Sequence, residues 1–447
     1  MFNPRIIYSL VLAFVWSSFY SFARPNVIVI YTDDQGYADL GVQGSRDDIV
    51  TPNIDALALS GVRCTAGYST SPQCTPSRAG LISGQYQNRF GQETNRHGPM
   101  PLNVVTIADR MQQAGYLTGM SGKWHLAVCN YGPDKGKWDS RDPQNPYLPA
   151  YRGFEEYCTG ILQEYVASHD FDGKPLDGAP VKLETELYRV HAQTAWAEHF
   201  IDRSVGTDRP FFLYLSYYAP HVPAVAPEEY MERFAHVKDE TRRVGLAMMA
   251  TVDDGVGRIL EKLEQHGIRN NTLIFYISDN GAPGGKGWNG SLNDPLRGWK
   301  GSVYEGGVRV PFLVSWPEKL GEAQIYTKTV STLDVAATAL DVAGTEIPEE
   351  LDGVSLIPFL NGEEEGAPHQ SLFWKWTFRT PRRAVVYEDW KWMKWDDNPA
   401  ELYSLAGDLE EAKNLATQHP EIVEHIQRLY FEWESEMPEI GNPWLDK

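Results

Sequence analysis

After residue 23 the sequence has no apolar run long enough to cross a bilayer, which takes roughly 20 residues. It has no fixed-period repeat and no low-complexity tract, which excludes solenoid and disordered architectures. Basic residues are in deficit, 40 Lys and Arg against 60 Asp and Glu, for a formal charge of −20. Such a surface repels nucleic acid and anionic lipid, so neither a nucleic-acid partner nor stable membrane insertion is expected. An anionic substrate would need a site made locally positive by side chains or by a metal. Cysteine is scarce, with four residues at Cys64, Cys74, Cys129 and Cys158. Cys129 and Cys158 bracket an irregular Gly/Pro-rich segment and are the pair expected if the chain holds a disulfide, although spacing alone does not establish the geometry. Cys64, in GVRCTAGY, reads as a small buried apolar residue.

What is present is ordinary globular composition in 447 residues, enough for one large core with a smaller appended unit. Residues 1–23 carry one Arg, an apolar run and a small-x-small ending at Ser21-Phe22-Ala23, the pattern of a cleaved signal peptide. A retained anchor is the alternative, but the uninterrupted run from Ile6 is short for it. Export is therefore expected: to the periplasm or outside in a bacterium, or to the secretory or lysosomal lumen in a eukaryote. Nearly continuous apolar runs at 27–31, 116–120, 211–217, 273–277 and 312–315 suit strands buried on both faces. Helical patterns at 106–114, 184–203, 242–265 and 334–342 alternate with them, which predicts an α/β fold with a large, mostly parallel mixed sheet flanked by helices. After Gly366, SLFWKWTF, RRAVVY and KWMKW alternate apolar and polar residues, as antiparallel strands with one wet face do. A helix at about 420–434 closes the chain. The expected division is a catalytic domain at 24–365 and a smaller α+β subdomain at 366–447.

Chargeable residues follow four of the buried runs: Asp33-Asp34, Lys123 and His125, His221, and Asp279-Asn280. Open α/β sheets place their sites at the carboxyl ends of strands, so four such groups predict one site. Singly, each has a plain reading as a turn or a structural histidine. Asp33, Asp34, Asp279 and Asn280 offer only oxygen, which suits Ca²⁺ or Mg²⁺ rather than Zn²⁺. Lys123 and His125 are two apart and share a face in extended chain. The segment Ser71-Pro-Gln-Cys74-Thr75-Pro76-Ser77-Arg78-Ala-Gly80 places Pro76 where a helix begins. Cys74 then lies at a helix N-terminus that favours negative charge, with Arg78 one turn on. A buried structural cysteine and an unmodified thiolate nucleophile are the competing readings.

Cys74-x-Pro76-x-Arg78 resembles the formylglycine-forming signature of the type I sulfatases, which share the alkaline-phosphatase-like fold. The likeness extends to Asn26 through Asp34, Gly122-Lys123-Trp124-His125, Ala219-Pro220-His221 and Ser278-Asp279-Asn280-Gly281. It continues through Leu296–Gly301, Tyr304–Pro311, Asp389-Trp390-Lys391 and Glu401–Leu405. The resemblance implies a sulfuric ester hydrolase in which a maturation enzyme converts Cys74 to formylglycine, whose hydrate attacks sulfur. It implies Ca²⁺ on Asp33, Asp34, Asp279 and Asn280, with Mg²⁺ the lesser alternative. It gives Arg78 and Lys123 the charge on the nucleophile, and Asp279 its proton. Lys300 and His221 bind sulfate and protonate the departing oxygen, and His125 takes the second hydroxyl's proton. Trp299 departs from the pattern, standing before Lys300 where a small residue is frequent.

A phosphodiesterase or phosphonate hydrolase shares the fold but usually brings His where Asn280 stands. A catalytically dead glycan-binding relative would lack some of these residues, and none is missing. An arylsulfatase of broad specificity remains the alternative to a carbohydrate sulfatase. Export and abundant aromatics (14 Trp, 23 Tyr, 17 Phe) point to a sulfated oligosaccharide or polysaccharide end, because sugar faces stack on aromatic rings. Arg96, His97, Trp138, Arg141, Tyr147, Arg152 and Trp299 are the expected sugar contacts. The tryptophans at 374, 376, 390 and 392 are expected to cover the terminal sheet instead.

Overall fold

In a computed structural model of the chain, residues 24–129, 134–284, 288–378 and 380–439 are described. The expected signal peptide lies outside them. The strands in chain order are β1 (Asn26–Asp33), β2 (Val62–Cys64), β3 (Gly67–Tyr68), β4 (Leu117–Gly122), β5 (Glu156–Ile161), β6 (Glu164–Ala167), β7 (Val181–Glu184) and β8 (Phe211–Pro220). They continue as β9 (Thr272–Ser278), β10 (Phe312–Ser315), β11 (Gln324–Tyr326), β12 (Val330–Ser331), β13 (Ser371–Phe378), β14 (Thr380–Tyr387), β15 (Trp390–Trp395) and β16 (Glu401–Ser404). Ten of them form one mixed sheet in the order β11-β2-β10-β9-β1-β8-β4-β5-β6-β7. Its middle, β9-β1-β8-β4-β5, is parallel throughout.

The continuous apolar runs have a direct cause. Every residue of β1 is buried; Val27, Val29 and Tyr31 enter one core, and Ile28 and Ile30 enter the other. A strand covered on both faces has no polar position to give away. Helices Cys74–Ser83, Ile107–Gln113 and Asp334–Val342 pack into the first core, and helices Arg189–Val205 and Glu240–Gln265 into the second. Thr106 and Asp109 form a capping box at the start of one of them. The short flanking strands β2, β5, β6, β7 and β11 were not expected from pattern, and the helix predicted at 184–203 begins only at Arg189, with β7 ending at Glu184.

The two-core arrangement also removes the expected disulfide. Cys129 packs in the first core and Cys158 in the second, on opposite faces of the sheet, and all four cysteines are unpaired. Strands β13 to β16 form a separate antiparallel sheet. Its alternation does not mark a wet face. Trp374, Ala384, Val386 and Met393 pack toward Tyr68 and Val303–Val308, while Val385, Trp392 and Leu402 pack on helix Pro420–Ser435.

Candidate active site

The carboxyl ends of β1, β8, β4 and β9 lie side by side, so their sequels converge. Asp33 ends β1, and Asp34 follows in the left-handed region at φ 65°. Gly122 ends β4 at φ 104°, and a Cβ there would stand 2.0 Å from the Ser216 carbonyl oxygen. Only glycine lets β4 close on β8 at this point, which sets the direction of Lys123 and His125. The Lys123 amide then donates to that same carbonyl at 2.8 Å. Cys74 opens helix Cys74–Ser83 behind the extended Gln73, and all ten residues of the helix are buried. Lys300 enters from a loop tied down by its own amide to Ala282 O (3.0 Å) and by Gly301 N to Pro72 O (2.7 Å).

Cys74 Sγ is the meeting point. Asp33 Oδ1 lies 3.4 Å from it, Asp34 Oδ1 3.9 Å, and Lys300 Nζ donates to it at 3.0 Å. Arg78 is wholly buried; its Nη2 meets Asp279 Oδ2 at 2.7 Å, and its Nη1 donates to Ser216 Oγ at 2.5 Å and to Lys123 O at 3.2 Å. Lys123 Nζ pairs with Asp33 Oδ2, and Lys300 Nζ lies 2.6 Å from Asp34 Oδ1. His221 donates from Nδ1 to Val222 O at 2.8 Å and turns Nε2 toward Asp34 Oδ2, 3.6 Å away. Burial pushes the Cys74 thiol well up, beyond what Lys123 and Lys300 pull back. An unmodified Cys74 is thus a protonated thiol and a poor nucleophile.

Ligand atoms of Asp33, Asp34, Asp279 and Cys74 all lie within 4.8 Å of one another. Asn280 joins them, donating Nδ2 to Asp34 Oδ1 at 2.7 Å. Asp34 Oδ2 and Asn280 Oδ1 are buried with no hydrogen-bond partner, which is what a cation's ligands look like before the cation arrives. Burial opposes the charge on Asp33, but Lys123, His221 and Arg78 hold its carboxyl well below the usual range. Asp279 is pushed up to about 7 by burial and by Asp33. Crowded carboxylates of this kind need additional positive charge to ionise together. The donor set is carboxylate and amide oxygen, and it fits a hard divalent ion.

Of the expected sugar contacts, the structure brings some to the site and not others. Arg141 lines a cavity of about 190 Å³ with Lys123, His125, Tyr218 and His221, and is held there by Asp139 and Glu164. Trp299 is exposed beside Lys300 and lines a second groove. Arg152 is instead buried, donating to the carbonyls of Met100 (3.2 Å), Pro101 (3.3 Å) and Val104 (2.8 Å). His97 is buried too, its Nδ1 accepting from the amides of Glu93 and Thr94 at 3.2 Å. That turn presents Asn95, whose Oδ1 accepts from Thr75 N at 3.0 Å and so caps the Cys74 helix. Arg96 is exposed on this turn, and neither cavity is lined by it. Tyr147 is buried with its hydroxyl on Asp134. Sequence reasoning missed Tyr214 and Ser216, which cradle Arg78. Their two-residue spacing on β8 puts both on one face and was the available signal.

Residues 25–345 match the family described as Sulfatase, and residues 298–435 match N-sulphoglucosamine sulphohydrolase, C-terminal. An uncharacterized sulfatase of Escherichia coli, YdeN, is 30% identical over 94% of this chain and 87% of its own length. Human arylsulfatase A is 33% identical over 78% of this chain and 70% of its own. The crystal structure of Ps i-CgsB in complex with k-i-k-neocarrahexaose superposes with a TM-score of 0.81 at 31% identity, covering 93% of this chain and 94% of that one. With a family match across most of its length and relatives of 30% identity or more along most of the chain, the chain belongs to the sulfatase family and is a sulfuric ester hydrolase.

Proposed function

We propose that this hydrolase removes sulfate from a sulfated carbohydrate, with Cys74 matured to formylglycine and Ca²⁺ held by Asp33, Asp34, Asp279 and Asn280. The observation that carries the reading is that three carboxylates have oxygens within 4.8 Å of one another and of Cys74 Sγ, with Lys300 on the sulfur and Arg78 and Lys123 paired to Asp279 and Asp33 beside it, at the edge of the parallel sheet. That sulfur stands in for the oxygen of the matured side chain, which would supply one hydroxyl to attack sulfur and a second to release sulfate. The cation would supply positive charge to the sulfate oxygens and to the nucleophile.

The chain's own residues fill the remaining roles. Lys300, bonded to Cys74 Sγ, is placed to bind a sulfate oxygen beside the nucleophile. Arg78 and Lys123 answer negative charge developing there from a dry setting, where such interactions are strong. His221 has its Nδ1–H fixed on Val222 O, so only its imidazolium form carries a proton on Nε2 for the departing ester oxygen, a form that burial opposes and that Asp33 and Asp34 favour. Burial and the neighbouring Lys123 hold His125 well below the usual imidazole value, and its Nδ1 has no partner. A neutral imidazole of that kind is suited to take the second hydroxyl's proton. Arg141, across the same cavity, would contact the sugar that carries the sulfate.

Support for a carbohydrate comes from that cavity and from the oligosaccharide in the complex of the similar Ps i-CgsB. We further propose export through cleavage after residue 23 and a functional division near residue 365. Protein co-expressed with a formylglycine-generating enzyme should show thiol-to-aldehyde conversion of Cys74 by peptide mass, and should release sulfate from defined sulfated oligosaccharides. Full activity with Cys74 intact would sink the proposal.

A further inference from the structure

Among the described residues only two tryptophans are exposed, Trp288 at 44% and Trp299 at 57%, and both line one groove of about 700 Å³. The groove lies on the β9 flank of the row of strand ends, between the segment after Asp279 and the start of helix Glu240–Gln265. The cavity of Lys123, His125 and Arg141 lies on the opposite, β4 flank, with β1 and Asp33 between. The groove is built rather than incidental. The Trp299 ring closes on the backbone of Gly284, where a Cβ would meet ring atoms at 2.5 Å. The Trp299 backbone is fixed by Ser302 N to its carbonyl at 2.9 Å and by its own amide to Ser302 Oγ at 3.1 Å. The next residue is Lys300, whose Nζ touches Cys74 Sγ.

The charges of the two flanks differ in kind. The β4 cavity is lined by Lys123, Arg141 and two histidines. The groove is lined by Arg46 and Arg242 against Asp48, Asp239 and Asp294, one negative charge in excess. Arg242 already meets Asp39 at 2.7 Å and Asp48 at 2.8 Å, and Arg46 meets Asp294 at 3.4 Å and Asp48 at 3.5 Å. A sulfate or carboxylate entering there would meet arginines already engaged and carboxylates that repel it. An uncharged sugar ring meets two exposed indoles for its C–H surface and carboxylate oxygens for its hydroxyls.

We infer that the Trp288–Trp299 groove binds an uncharged, unsulfated sugar unit adjoining the sulfated one, so that the substrate is a glycan in which the two kinds of unit are neighbours. The inference rests on the carbohydrate-sulfatase reading above and gives that reading a substrate pattern. Stacking on an aromatic ring is worth on the order of tenfold or more in affinity.

The test is a panel of sulfated monosaccharides and of tetrasaccharides carrying the same sulfated units, with either uncharged or uronate neighbours. The matured enzyme should prefer a tetrasaccharide with uncharged neighbours, at a kcat/KM at least tenfold above that of its sulfated monosaccharide. Trp288→Ala and Trp299→Ala should each remove most of that gain, largely through KM, whereas Trp299→Phe should keep it within about threefold. Preference for uronate neighbours, or a gain that survives both alanine variants, overturns the groove assignment and leaves the sulfatase chemistry standing. Release of sulfate from no member of the panel, with Cys74 converted as judged by mass, overturns the carbohydrate reading and the groove with it.

Discussion

Two groups of buried opposite charges occur in this molecule, and they treat their own charges differently. Glu305, Glu411, Lys391 and Arg309 lie between the turn that follows Lys300 and the C-terminal sheet. There Glu305 Oε1 meets Lys391 Nζ at 2.6 Å, and its Oε2 meets Arg309 Nη1 at 2.9 Å and the Tyr68 hydroxyl at 2.8 Å. Glu411 Oε2 accepts from the Glu305 amide at 2.8 Å. Of these carboxylate oxygens only Glu411 Oε1 lacks a hydrogen bond, and it faces Lys391 Nζ at 3.7 Å. At the active site the same kinds of group leave Asp34 Oδ2, Asn280 Oδ1 and His125 Nδ1 without partners. The first cluster is closed but for that one oxygen, and it fastens the Lys300 loop to the C-terminal sheet. The second is open, with spare atoms where the proposed cation and substrate would sit. Burial and charge alone do not separate a structural cluster from a functional one; leftover donors and acceptors do.

Several measurements can break or sharpen that contrast. The largest effect belongs to Cys74, where Cys74→Ala should lower turnover on the order of 10⁴-fold or more while costing only about 1 kcal/mol of stability. Near-normal turnover would remove Cys74 from the open cluster. Next, Lys391→Met strands two carboxylates in the closed cluster and should cost about 3–5 kcal/mol in urea unfolding. The double change Lys391→Met with Glu305→Gln should recover part of that loss. A cost below about 1 kcal/mol would mean the cluster fastens nothing.

A smaller effect separates the clusters by ligand. Calcium at a hundred times its Kd should raise stability by about 2.7 kcal/mol, seen as a shift in Tm after chelation and add-back. Asp279→Asn should abolish that increment, and Lys391→Met should retain it. The smallest effect is expected at a single pair, His369 with Asp334, at 2.6 Å beside helix Asp334–Val342. Burial alone would lower the His369 pKa, but Asp334 raises it above the ordinary value. A raised histidine stabilises the fold in its protonated form. The advantage of the wild type over His369→Asn should be complete below about pH 6.5 and fade as pH rises through the raised value. A difference that grows with pH would contradict the pairing.

Much of the site was legible because a buried strand must end in something polar, and VIVIYT, FFLYLSYYAP and LIFYIS each ran into a chargeable residue. Strands β1, β4, β8, β9 and β10 were legible for the same reason, since burial on both faces writes an unbroken apolar run. The flanking strands were not, because Val62–Cys64 or Val181–Glu184 is too short for any period to register. Lys300 and Cys74 are 226 residues apart, and only the family resemblance linked them before the fold did. Arg152 was misread because a guanidinium satisfied by three loop carbonyls looks in sequence like one awaiting an anion. The Cys129–Cys158 pairing failed because a sheet separates residues that a loop seems to join.

The complete burial of helix Cys74–Ser83 also bears on timing. If Cys74 is matured as proposed, the modifying enzyme must grip the chain around it, and in the folded molecule every residue from Cys74 to Ser83 is buried. The proposed conversion would then belong to the period before the sheet closes over the segment. Once folded, a molecule that missed this modification would have no route back short of unfolding. The active fraction of any preparation would thus be fixed at its birth, and later exposure to the modifying enzyme would not raise it.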